Sequence, residues 1–147
     1  MKVTQLLDSE SIVVQENSTI ADLCKVFVKS EFKTAAILDE NRRIKGIISL
    51  HDILANIIPY HVRIDNRLAD ALHEGYFEEG FAKIQNSLVS EFMNTKIDTL
   101  HVDDNAIKAV AVFVECKRRA LPVLNDDGIF QGFVTRVSLL EHLTGEE

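Results

Sequence analysis

The sequence predicts an α/β (α+β) chain made of two copies of one β-α-β-β-α unit with a helical connection between them. The first observation behind this is a repeat. Val3-Thr-Gln-Leu-Leu-Asp8 matches Val89-Ser-Glu-Phe-Met-Asn94, Thr34-Ala-Ala-Ile-Leu-Asp39 matches Ala120-Leu-Pro-Val-Leu-Asn125, and Ile44 to Leu54 matches Phe130 to Leu140. All three pairs occur in order and in one frame, with Gly46 falling on Gly132. The second is periodicity: in each copy, apolar runs of strand length flank a run with helical spacing. The third is length. The chain has 147 residues, enough for one ordinary domain or two very small ones. A unit of about 50 residues buries too little apolar surface to be stable alone, so the copies are expected to pack together.

Each element has a local reason. Ser11-Ile-Val-Val14 is a β-branched run and reads as a strand. Ser18 and Thr19 are suited to cap a helix that carries Ile20, Leu23, Cys24, Phe27 and Val28. Thr34 to Leu38 and Ile44 to Ile48 read as two strands around the polar turn Asp39 to Arg43, and a helix follows over residues 50–57. In the second copy Asn105 is the cap, and Ile107, Val110, Ala111 and Val114 carry the helical spacing after a one-residue slip of the frame. Ala120 to Leu124 and Ile129 to Val134 flank the turn Asn125-Asp-Asp-Gly128, where glycine tolerates positive φ. A last helix covers residues 136–143.

These elements divide the chain into a first repeat at 1–58, a connection at 59–86 and a second repeat at 87–147. In the connection, Pro59 ends or kinks the helix before it. Asp65 caps a helix bearing Leu68, Ala71, Leu72 and Tyr76, and Phe77, Phe81, Ile84, Leu88 and Phe92 continue the apolar spacing. A stretch this apolar is expected to pack on the paired units or on a second subunit.

Composition sets limits on function. Apolar residues make up 46% and charged residues 27%, as in a folded chain. The net charge of -7 disfavours polynucleotides and anionic membranes, which attract excess Lys and Arg. No apolar run approaches the roughly 18 residues of a membrane span, and residues 1–8 lack the apolar core of a secretory signal. A cytoplasmic location is therefore expected. Two cysteines, Cys24 and Cys116, are far too few for a disulfide scaffold and read as passive thiols.

The repeated strand-Gly-strand-helix element resembles the CBS domain family, which occurs as tandem pairs (Bateman modules). The resemblance rests on Pro122-Val123, on Gly46-Ile-Ile-Ser49-Leu-His-Asp52, and on Gly132-Phe-Val-Thr135-Arg-Val-Ser138. It implies strands associated about a pseudo-twofold axis and two clefts that hold adenine nucleotides or related adenosyl ligands. It also implies a regulatory rather than catalytic role, and a homodimer formed through helices. No cofactor is required. AMP, ADP, ATP or S-adenosylmethionine is the expected regulatory ligand, and an effector protein of unknown identity the expected partner.

The residues themselves suit a nucleotide at the first copy. Ser49 and Asp52 sit at the start of one helix and on one side of it. The Asp52 carboxylate accepts two hydrogen bonds, as a ribose diol requires. The Ser49 hydroxyl and the free amides beside it suit a phosphate or ribose oxygen. Ala35 and Ala36 are expected to leave room for a flat base, with Ile12 and Ile48 as its apolar faces. In the second copy Thr135 remains but Ser138 replaces the aspartate, so that cleft is expected to bind a nucleotide more weakly, bind something else, or stay empty. The resemblance implies that basic residues at Lys117-Arg118-Arg119 reach ligand phosphates; Arg118 and Arg119 are the candidates, suited by their planar donor fork, and Lys33 is the matching position of the first copy. Asp98, His101 and Asp103 lack the second ligand pair of a metal site, and no nucleophile-base pair points to an enzyme. The competing reading is a structural or protein-interaction pair with no nucleotide bound.

Overall fold

The computed structural model describes residues 1–116 and 118–145. It contains two three-stranded sheets of the same design. In the first, β1 (Ile12–Gln15) runs parallel to β2 (Thr34–Leu38), which pairs antiparallel with β3 (Ile44–Ser49). Helix α1 (Ile20–Val28) makes the crossover, and α2 (Leu50–Ala55) follows β3. The second sheet repeats this with β4 (Leu100–His101), β5 (Ala120–Leu124) and β6 (Phe130–Thr135). Its helices are α5 (Ala106–Cys116) and α6 (Arg136–Thr144). The connection holds α3 (Tyr60–Ile64), a 3-10 turn at Asn66–Ala71, and α4 (Tyr76–Ile84). No helix among the described residues is long and apolar enough to cross a membrane.

The two units match at a constant offset of 86 residues, the separation of Gly46 and Gly132. Ile37 pairs with Gly46 as Val123 pairs with Gly132. The β2–β3 turn puts Arg42 at φ 63°, where the β5–β6 turn has Gly128 at φ 76°. The offset also holds through the helices: Leu23 and Phe27 are buried in α1 as Ala109 and Phe113 are in α5. The expected one-residue slip is therefore absent. Ile107 and Val114, read as part of the helical spacing, are 71% and 78% exposed. Because α5 is apolar nearly all round, its period does not specify which face is buried; the shared frame with Phe27 does.

The units exchange their leading segments. Val3 and Leu6 lie in the core of the second unit with Leu100, Ala109, Phe113, Leu121 and Val134. Val89 lies in the core of the first unit with Ile20, Leu23, Phe27 and Ile53, and Phe92 and Met93 pack against it. Backbone hydrogen bonds repeat this exchange in frame. Asp8 N donates to Phe133 O at 2.7 Å, and Asn94 N donates to Ile47 O at 2.8 Å. Val3 N donates to Asp104 O at 3.0 Å, and Val89 N donates to Ser18 O at 2.8 Å. A third cluster, Ala36, Leu38, Ala120, Phe130 and Phe133, draws on both sheets and joins the units.

The connection departs from the sequence reading in one place. The stretch expected to form a helix from Asp65 to Tyr76 is a short 3-10 turn, with Asp65 accepting from Arg67 N. Gly75, at φ 92°, then begins α4. Phe81 and Ile84 of α4 pack against the first unit's core, as an apolar connection requires, whereas Phe77 and Leu88 are exposed.

Gly46 marks a close approach. A Cβ there would lie 2.8 Å from Asn94 O and 2.9 Å from the Met93 sulfur, where the exchanged segment crosses β3. Gly46→Ala is expected to cost about 1–3 kcal/mol through overpacking. Urea denaturation measures this, and a loss below about 0.5 kcal/mol would show that the crossing can shift away.

Candidate functional site

The strand-to-helix junction after each Gly is the local feature on which the candidate site is built. Ser49 caps α2: its Oγ accepts from Asp52 N at 3.3 Å, and Asp52 Oδ2 accepts from Ser49 N at 2.8 Å and from Ser49 Oγ at 3.0 Å. Both residues are half-buried. Asp52 Oδ1 has no hydrogen bond among the described residues, so one carboxylate oxygen remains available to an incoming donor.

The second junction has the same geometry and no such capacity. Thr135 Oγ1 accepts from Ser138 N at 3.0 Å and donates to Asp8 Oδ2 at 3.1 Å. The Ser138 hydroxyl accepts from Thr135 N and donates to Thr135 O, both at 2.9 Å. Thr135 and Ser138 are each 4% exposed. Ser138 has thus used its donor on its own cap and presents no charge to a ligand.

A cavity of about 830 Å³ nevertheless opens on this second junction. Its wall comes from the exchanged N-terminal segment (Gln5 to Glu10), from Glu31 and Phe32 before β2, and from α6. Asp8, Glu10, Glu31 and Glu141 line it against Arg136 and His142, so the wall is acidic. At the 86-residue offset Asp8, Glu10, Glu31, Glu141, Arg136 and His142 align in sequence with Asn94, Lys96, Lys117, Ala55, Leu50 and Asn56. Three carboxylates of this wall thus align with Asn or Lys in the repeat frame. The individual residues gave no signal of this contrast; only the repeat frame exposes it.

The remaining expected site residues are distributed as follows. Ala35, Ala36 and Ile48 are 0% exposed and Ile12 is 8% exposed. Ala35, Ile12 and Ile48 belong to the first unit's core, and Ala36 to the cluster shared between the sheets. The two alanines expected to leave room for a base are thus packed against protein neighbours. The Lys33 ammonium bonds the Phe27 and Ser30 carbonyls at the end of α1, where a cation complements the helix dipole. Lys117 lies outside the described residues. Arg118 Nε donates to Asp98 Oδ2 at 2.8 Å, and Arg119 is exposed.

The polar groups set aside in the sequence have structural partners. His101 Nδ1 accepts from Asp103 N at 3.1 Å, which leaves Nε2 to donate to Asp126 Oδ1 at 2.6 Å. The two carboxylates therefore lie beside opposite nitrogens of one ring, and the histidine ties the β4 turn to the β5–β6 turn. Burial pushes the Cys24 thiol pKa up; for Cys116, desolvation and then the Asp98 charge do so. Neither environment generates the thiolate that a nucleophile needs.

Comparison with known proteins agrees with this architecture. The CBS domain family profile matches residues 3–59 and 89–145. A curated relative, the uncharacterized protein MJ1426 of Methanocaldococcus jannaschii, is 28% identical over 143 residues, covering 90% of this chain and 85% of its own. The cyclic di-AMP receptor B of Bacillus subtilis is 25% identical over 130 residues, covering 88% and 76%. Several other curated relatives are longer, the match spanning 32–56% of their length. The solved structure of CBSX2 in complex with AMP superposes with a TM-score of 0.74 at 20% identity, covering 98% of this chain and 96% of that one. With two matched segments that take in most of its length, each folded as β-α-β-β-α, the chain belongs to the CBS domain family as a tandem pair.

Proposed function

We propose that this chain is a regulatory module that senses an adenosine-containing nucleotide in the cleft on Ser49 and Asp52 and transmits its binding to a partner protein. One observation carries the choice of cleft: equivalent positions of the repeat differ in charge and in hydrogen-bonding capacity. Asp52 keeps a free carboxylate oxygen, and Asn94, Lys96 and Arg118 are the repeat counterparts of Asp8, Glu10 and Phe32 in the other wall. Ser138 has spent its only donor on its own cap and has carboxylates around its cavity. A phosphate is attracted to the first setting and repelled by the second. The relatives support the ligand class, since CBSX2 is in complex with AMP and the Bacillus protein is named for cyclic di-AMP.

The ligand acts by shifting an equilibrium, and only by its differential affinity for the two states of the pair. A second copy of the chain is a natural route for that shift. Ile107, Val110 and Val114 of α5 and Val137, Leu140 and Leu143 of α6 are exposed. We read this surface as the face of a homodimer, which sedimentation analysis tests. The competing reading, an interaction pair with no nucleotide, draws on the closed packing of Ile12, Ala35, Ala36 and Ile48.

Thermal unfolding with AMP, ADP, ATP, S-adenosylmethionine and cyclic di-AMP separates the two. A ligand present at 100 times its dissociation constant adds about 2.7 kcal/mol. One of the panel is expected to raise the midpoint, with one site per chain in a calorimetric titration. No shift with any of them favours the interaction reading, and two equal sites per chain overturn the choice of cleft.

A further inference from the structure

The ion pair between Asp98 and Arg118 stands out because the repeat does without it. At the 86-residue offset its counterparts are Ile12 and Phe32, both apolar. The fold therefore forms this corner without a charge pair. The substitution also has a local consequence: Ile12 is the first residue of β1, whereas β4 begins at Leu100, two positions after Asp98.

The pair is placed where a ligand could compete for it. Phe32 lines the cavity beside Thr135 and Ser138, and its ring meets Phe133 at 5.7 Å. In the repeat frame Arg118 is the counterpart of Phe32, as Ser49 and Asp52 are the counterparts of Thr135 and Ser138. Only Arg118 Nε is bonded, at 2.8 Å, and the two Nη groups have no partner among the described residues. The side chains are 36% and 41% exposed, so water and small anions reach them. A half-exposed pair of this kind is weak enough to be exchanged for another anion. A phosphate offers the guanidinium fork the same charge with more acceptor oxygens.

We propose that Asp98 competes with a ligand phosphate for Arg118, and so determines how strongly this cleft distinguishes a phosphorylated adenosine from adenosine. The proposal rests on the nucleotide reading above and deepens it. Asp98 acts through Arg118 as a positioning residue: it holds the guanidinium when no phosphate is present and opposes the phosphate's approach by its own charge. Affinity for AMP is lowered by this competition, and affinity for adenosine is not. Excess phosphate-bearing ligand of low specificity is thereby disfavoured unless the adenosine moiety is also bound.

Calorimetric titration of AMP and of adenosine into wild-type protein and into Asp98→Asn, Asp98→Glu, Arg118→Gln and the Asp98→Asn/Arg118→Gln double variant tests this. Asp98→Asn is expected to tighten AMP about two- to five-fold, the range of an exposed ion pair, and to leave adenosine unchanged. Asp98→Glu is expected to keep the wild-type ratio of the two affinities. Arg118→Gln is expected to bring AMP close to adenosine and to remove the effect of Asp98→Asn. An unchanged ratio in Asp98→Asn, or a tightening that persists without Arg118, overturns the proposal while leaving the nucleotide reading intact. If neither AMP nor adenosine binds any of these proteins, this proposal falls, while the nucleotide reading is decided by the rest of the thermal panel.

Discussion

Phe133→Ala is expected to lower the unfolding free energy by about 3–5 kcal/mol, the range for a buried phenylalanine cut back to alanine. Phe133 is 0% exposed, and its ring meets Phe130 at 5.1 Å and Phe32 at 5.7 Å, both edge to face. Its side chain belongs to the cluster that joins the two sheets. Its backbone accepts from Asp8 N and donates to Ser11 Oγ, so the same residue anchors the exchanged segment. A domain of this size has only about 5–15 kcal/mol to lose. Phe133→Leu, expected to cost less because it retains most of the volume, keeps the comparison measurable if the alanine variant fails to fold. Urea denaturation followed by circular dichroism gives both values. A loss under about 1 kcal/mol for Phe133→Ala would mean that the two units are stable without their shared core.

Asp52→Asn is expected to weaken binding of the nucleotide identified in the thermal panel at least ten-fold. A hydrogen bond to a charged group contributes about 1.5–3 kcal/mol, and the free Oδ1 is the oxygen available for it. Asparagine still presents a carbonyl oxygen to Ser49 N, so the cap largely survives and the unliganded stability should change by less than about 1 kcal/mol. The readouts therefore separate: affinity falls while the unliganded unfolding midpoint holds. Ser138→Asp is the complementary variant. It is expected to create no second nucleotide site, because Asp8, Glu10, Glu31 and Glu141 remain in that wall. Undiminished affinity in Asp52→Asn would return Asp52 to the role of a helix cap alone.

Much of the fold was legible because it depends on local chemistry that the chain states twice. The Gly46/Gly132 frame, the Thr19 cap and the Gly128 turn are short-range features, and each is formed as their residue types require. The buried face of α5 was not legible, since Val110, Val112 and Val114 are equally apolar and only packing against the sheet selects among faces. Nor was the 3-10 turn at Asn66–Ala71, where helical spacing alone did not reveal how Gly75 and its positive φ divide the connection.

For the candidate site the division is similar. The motif residues Ser49, Asp52, Thr135 and Ser138 were identifiable, because cap spacing brings each pair together within one turn. What surrounds them was not, because the walls come from residues distant in sequence. Asp8 reaches Thr135 across 127 positions, and Asp98 takes the charge of Arg118 across 20. Lys33 was identifiable only as the counterpart of the Arg118-Arg119 candidates. In the structure its ammonium bonds the Phe27 and Ser30 carbonyls at the end of α1.

By itself the sequence determined that the chain is a pair of half-size units, acidic overall, with an aspartate at one junction and a serine at the other. Repetition, turn chemistry and caps act over a few residues and survive in one dimension. Only the tertiary structure decided that each unit's core is completed by the other's leading segment, and that the 830 Å³ cavity lies on the serine junction behind acidic walls. Burial and electrostatic surroundings are sums over neighbours in space, and in this chain those neighbours are separated by scores of residues.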